Sequence, residues 1–133
     1  MNEAQETMRG RDVAAPIQYV AYDGQRYPMK FSNLAARIAE DVYAEKYGRD
    51  IGYYAIIGEV AIPKHRAIMA MVYAGIVAAG AEVEWDDFED KFRLIDIEGI
   101  SQAIHKGVVQ SLPDEDPDTP DDEKNAGATP TVS

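Results

Sequence analysis

The sequence contains no cysteine, which excludes disulfides, iron–sulfur clusters and thiolate zinc sites. It is also poor in positive charge, with 13 Lys and Arg against 24 Asp and Glu in 133 residues and a formal net charge of −11. Nucleic acid is therefore an unsuitable partner, because phosphate binding runs on Lys and Arg displacing counterions. A membrane is no better a partner. The longest apolar segment, Ile68 to Ala79, is Ala-rich and holds Gly75; it falls short of the roughly 20 residues of a spanning helix and reads as a core helix. Residues Met1 to Arg11 are polar and have no apolar stretch behind them, so no signal peptide is expected.

Glycine patterns that cradle phosphate, turn beneath a dinucleotide or expose a nucleophilic serine are missing. The two histidines, His65 and His105, have no His, Cys or carboxylate at the helical spacing of a metal site, and they read as surface or satisfied polar residues. An acidic run, Glu82, Glu84, Asp86, Asp87, Glu89 and Asp90, is interrupted by Trp85 and Phe88. It lacks the ligand spacing of a calcium loop and reads as a solvated helix start. The expectation is a chain that is not an enzyme, takes no cofactor or metal, and works by binding another protein.

What is present organises the chain into three parts. Residues 1–16 lack periodicity and read as a flexible N-terminal arm. Residues 17–112 read as one domain, a short N-terminal β-hairpin followed by a bundle of about four to five helices, so the fold class is mainly α. Residues 113–133 read as a disordered acidic tail: Pro recurs at 113, 117, 120 and 130, and seven acids stand against Lys124 alone, so more than half of the net charge belongs to it.

Within the domain, Ile17 to Tyr22 is β-branched and aromatic. Asp23-Gly24 then supplies a tight turn, and Arg26 to Phe31 returns with Tyr27, Met29 and Phe31 on one face and Pro28 marking an edge. Ser32 caps a helix with Leu34, Ile38, Val42 and Tyr43 on its apolar stripe, ending at Gly48. Asp50 is a cap candidate for a short helix over Ile51 to Gly58. Pro63 suits the first turn of a deeply buried helix over Lys64 to Ala79. Asp86 and Glu89 have the spacing of a capping box, with Asp86 at the cap, at the start of a short helix whose Phe88 and Phe92 are one turn apart. Asp96 caps a last helix with the stripe Ile97, Ile100, Ile104, Val108 and Leu112. The candidate protein-binding residues are Tyr53, Tyr54, Ile57, Trp85, Phe88 and Phe92, each weighed against plain burial in the core.

The order of these features, Tyr22-Asp23-Gly24-x-x-Tyr27-Pro28-Met29-Lys30-Phe31, then the Ser32-capped helix, then Glu45-Lys46-Tyr47-Gly48, resembles tail assembly chaperones of long-tailed bacteriophages. Downstream, Met71-Val72-Tyr73-Ala74-Gly75 and Glu84-Trp85-Asp86-Asp87-Phe88-Glu89-Asp90 look like two further helices of that family, and the likeness covers Tyr19 to Leu112. The resemblance implies a helical protein that binds the aggregation-prone tape measure protein and keeps it soluble. It also implies that the chain helps the tail tube protein polymerise, works in the host cell cytoplasm and is absent from the finished virion. Family members are often also made as a longer, frameshifted form. Tyr53 to Ile62 is more apolar than the family pattern. An alternative is a structural or adaptor protein of the particle, such as a head or tail connector component. Self-association is left open.

Overall fold

The computed structural model describes residues 17–111; the expected N-terminal arm, Leu112 and the expected acidic tail lie outside the described residues. Strands β1 (Gln18–Tyr22) and β2 (Gln25–Met29) are followed by α1 (Asn33–Lys46), α2 (Tyr53–Ala61), α3 (His65–Ala78), α4 (Trp85–Lys91) and α5 (Ile97–Ser111). The mainly helical fold with a leading hairpin is the one the sequence predicts.

The hairpin turns as expected. Asp23 and Gly24 take φ of 52° and 80°, the mirror-image turn whose twist matches paired strands. The register sets Val20 opposite Tyr27 and Tyr19 opposite Pro28, so Pro28 falls at a position whose missing N–H would have pointed away from the partner strand. Pairing stops at Met29, short of the expected Phe31, because the Lys30 N–H donates to the Gly75 carbonyl of α3 at 2.9 Å. The chain is handed from sheet to helix at that bond. Phe31, buried, then inserts between two glycines. A Cβ at Gly75 would lie 3.1 Å from Phe31 Cε1, and one at Gly107 of α5 only 2.5 Å from Cδ2.

Helix α3 is the centre of the molecule, with nine buried residues, and α1, α2, α5 and β2 all pack on it. Pro63 stands ahead of its cap residue Lys64, outside the first turn the sequence suggested, and is joined to Ile62 by a cis peptide. Helix α1 is capped by Ser32, whose Oγ accepts from the Ala35 N–H at 3.4 Å. Its inward stripe is Ala35, Ala39, Val42 and Tyr43, and the predicted Leu34 is 41 % exposed. Small side chains on the inner face let α1 lie close to α3, and Leu34 falls outside that contact. Ile38 is half-buried against the core.

Asp50 does not cap α2. Gly52 holds the cap position without a side-chain bond, and the Tyr53 N–H is satisfied by the Glu40 carboxylate of α1 at 2.9 Å. The capping box at α4 does not form either, because Trp85 is the first helical residue and Glu84 the cap. Asp86 and Asp87 sit in the first turn, where carboxylates favour the helix dipole. Asp96 does cap α5, accepting from the Gly99 N–H at 3.1 Å. On α5, Ile104 and Val108 are buried and Ile100 is packed against the core, while Ile97 is largely exposed. Among the described residues, no helix is long and apolar enough to cross a membrane.

Candidate protein-binding surface

The six residues singled out from the sequence divide in the structure. Trp85, Phe88 and Phe92 are buried in an aromatic cluster. Phe88 and Phe92 stack at 4.8 Å, and Trp85 meets Tyr73 edge-on at 5.1 Å and Tyr47 at 6.1 Å. The Tyr73 hydroxyl ties the cluster down by donating to the Val83 carbonyl at 3.0 Å. These three side chains are core: closed in by their own domain, they offer no surface to a partner in this conformation. The other three lie on α2, where Tyr53 and Ile57 are half-buried and Tyr54 is 74 % exposed.

Helix α2, Tyr-Tyr-Ala-Ile-Ile-Gly-Glu-Val-Ala, carries one charged residue, Glu59, and that residue points inward. Its carboxylate accepts from the Tyr43 hydroxyl at 2.8 Å and from Arg49 Nη1 at 2.8 and 3.0 Å, with Arg66 Nε paired to it at 3.4 Å. Burial alone would raise the Glu59 pKa. The hydrogen bonds from Arg49 and Tyr43 and the charges of Arg49 and Arg66 outweigh it and hold the carboxyl below the ordinary glutamate value. The same environment pushes the Tyr43 hydroxyl well up, through burial first and its bond to Glu59 second. Glu59 thus fastens α2 to α1, to the α1–α2 loop and to α3.

With its single charge spent inward, α2 turns an uncharged face outward. Tyr54, Ala55, Gly58, Ala61 and the following Ile62 are all exposed, and nothing lies within 4 Å of where a Gly58 Cβ would stand. Between α2 and α5 this face deepens into a groove of about 430 Å³ floored by Ile57, Val60, Ala61 and Ile104 and rimmed by Gln102, His105 and Lys106. Ser101 closes its base by donating to the Val60 carbonyl at 3.1 Å. No acidic residue lines it, a departure in a chain with 24 acids.

At the other end of α2, Tyr53 and Tyr54 lie 5.9 Å apart, centroid to centroid, beside a second hollow shared with Lys30, Ser32 and Asn33. Burial pushes the Tyr53 hydroxyl up to about 12, and among the described residues that oxygen has no hydrogen-bond partner. The structure therefore brings Tyr53 together with Tyr54 and gives Ile57 to a separate groove.

Sequence reasoning missed the α5 wall of that groove, because Gln102, His105 and Lys106 are ordinary polar positions of an amphipathic helix. The signal for the α2 side was visible as the unusual apolarity of Tyr53 to Ile62. The two histidines are exposed, and among the described residues no group of three or more His, Cys, Asp or Glu is placed to hold a metal ion. The arrangement offers apolar area, bordered on the α5 side by Gln102, His105 and Lys106. Compared with protein-family models, curated proteins and solved structures, the chain matches none.

Proposed function

We propose that this chain is a tail assembly chaperone of a long-tailed bacteriophage, which holds the tape measure protein in solution in the host cytoplasm and promotes assembly of the tail tube protein around it. The observation that supports this reading is the uncharged outer face of α2 with the α2–α5 groove beside it. A holdase needs accessible apolar area on a body that stays folded. Here an inward-facing Glu59 anchors the exposed helix, so that area can be presented without loosening the core. A helix in such a groove would bury one apolar stripe, a recurrent mode of recognition.

The test is coexpression with the gene product encoded immediately downstream, if that is a very long helical protein, followed by a measurement of how much of it stays soluble. The expected result is a soluble complex that is lost when Gly58→Arg places a charge on the open face of α2, in a variant whose circular dichroism is unchanged. A long protein that stays insoluble with and without the chain would sink the proposal.

A further inference from the structure

The hollow beside Tyr53 and Tyr54 lies where the described chain ends. It has a volume of about 610 Å³, and its wall is built from Lys30, Ser32, Asn33 and the two tyrosines, together with Ser111, the last residue of α5. Its charge is one-sided. Lys30 is exposed, α1 starts here with no acid in its first turn, and among the described residues no carboxylate lines the wall. A cation and a helix N-terminus both favour an anion. Glu40, the acid bonded to the Tyr53 N–H at 2.9 Å, is not part of the wall. The Tyr54 ring is 74 % exposed and stands tilted at 54° to that of Tyr53. Aromatic pairs of this kind are surfaces on which proline-containing segments dock.

We propose that the start of the chain's own tail, Leu112 to Asp116, folds back into this hollow, with Pro113 against the two tyrosine rings and the acids after it beside Lys30. Ser111 already lines the hollow. Pro113, two residues on, is therefore within about 7 Å of it, and Asp116 within about 18 Å. A proline at 113 disfavours helical backbone at Leu112, which biases the chain to leave the axis of α5 just there. Asp114, Glu115 and Asp116 follow in succession and bring the sign of charge that the wall lacks. The tether makes docking intramolecular, at an effective concentration of about a millimolar, so one ring contact and one ion pair suffice where a free peptide would not stay bound. Residues 1–16 suit the hollow less well, because Arg9 and Arg11 stand among Glu3, Glu6 and Asp12 and offer no block of one sign. The hollow shares no wall residue with the α2–α5 groove, so the proposal stands or falls independently of the chaperone reading.

The experiment is nitrogen-15 relaxation on the full chain at low salt, reading backbone order parameters at Asp114, Glu115 and Asp116 at two protein concentrations roughly tenfold apart. The expected values are about 0.8, close to rigid backbone, whereas a flexible segment lies below about 0.6. Lys30→Glu reverses the cation and Tyr54→Ala removes the exposed ring; both side chains are on the surface, so the helices should keep their own order parameters. Each substitution should lower the tail values, and the two together should bring them below about 0.6. Wild-type values below that level at all three positions overturn the proposal, without reference to any variant. So does order that survives the double substitution, which would hold the tail elsewhere. Order seen only at the higher concentration also overturns it, since the occupant would then be the tail of a second copy.

Discussion

Replacing Gly107 by alanine would ordinarily stabilise a helix by about 1 kcal/mol, because alanine is the better helix former. Here the opposite is expected. The added methyl would lie 2.5 Å from Phe31 Cδ2 and 2.6 Å from Cε2, roughly an ångström inside ordinary contact. The ring has little room to retreat, since its other edge is 3.1 Å from the corresponding position at Gly75 and Phe31 is only 5 % exposed. Overpacking of this kind costs about 2–3 kcal/mol. Subtracting the helix gain leaves a net loss of about 1–2 kcal/mol, or roughly 5–15 °C in Tm for a domain of this size.

The assay is urea or thermal unfolding followed by circular dichroism, with Phe31→Leu as a second variant. That substitution alone leaves a gap, but combined with Gly107→Ala it gives the methyl somewhere to go. The double variant should be more stable than the sum of the single changes predicts. If Gly107→Ala is neutral or stabilising, or if the two changes simply add, the wedge at Phe31 does not bear on stability and the packing described for it is wrong.

Glu59→Ala should cost about 3 kcal/mol, because it leaves the fully buried Tyr43 hydroxyl without its acceptor and two arginines without their carboxylate. Tyr43→Phe, which removes a single donor, should cost only about 1 kcal/mol by the same unfolding assay. The acid dependence follows from the lowered Glu59 pKa. Its folded value is below its unfolded one, so its stabilisation is fully present above the unfolded glutamate value of about 4.3 and fades as pH falls below that toward the folded value. Acid titration of the wild type against Glu59→Gln should show the wild type losing more stability over that interval. Parallel curves would mean that the carboxylate is no more stabilised in the fold than in the unfolded chain.

Much of the fold was legible where local chemistry decides it. Asp23-Gly24 demanded a tight turn, Ser32 and Asp96 acted as caps, and Gly48 takes the positive φ of a helix stop. Expectation failed where a distant residue took over a local role. Asp50 was passed over because Glu40, on another helix, accepts from the Tyr53 N–H. Leu34 was placed inward because a pattern of large apolar residues gives little weight to alanine, yet Ala35 and Ala39 make the contact. At the candidate surface, the apolar excess of Tyr53 to Ile62 was readable and the groove was not. Its second wall comes from α5, some forty residues away, and no local pattern announces which polar face of a helix will border a neighbour's apolar one. The aromatic residues of α4 were ambiguous for a related reason: Trp85 and Phe88 on a short acidic helix suit a core as well as a docking patch, and only the rings of Tyr47 and Tyr73 around them decide it.

The position of Phe31 between Gly75 and Gly107 also sets an order in time. The hairpin leaves the ribosome first, but the slot that receives its last aromatic ring is finished only when α5 has been made. At about 5–20 residues per second, several seconds separate the two. Until then Phe31 and the inner face of the hairpin have no complete site to occupy. The final helix therefore acts as the latch on a domain begun at its other end, and a nascent or truncated chain that stops before Gly107 would leave the hairpin's apolar face uncovered in addition to the outer face of α2.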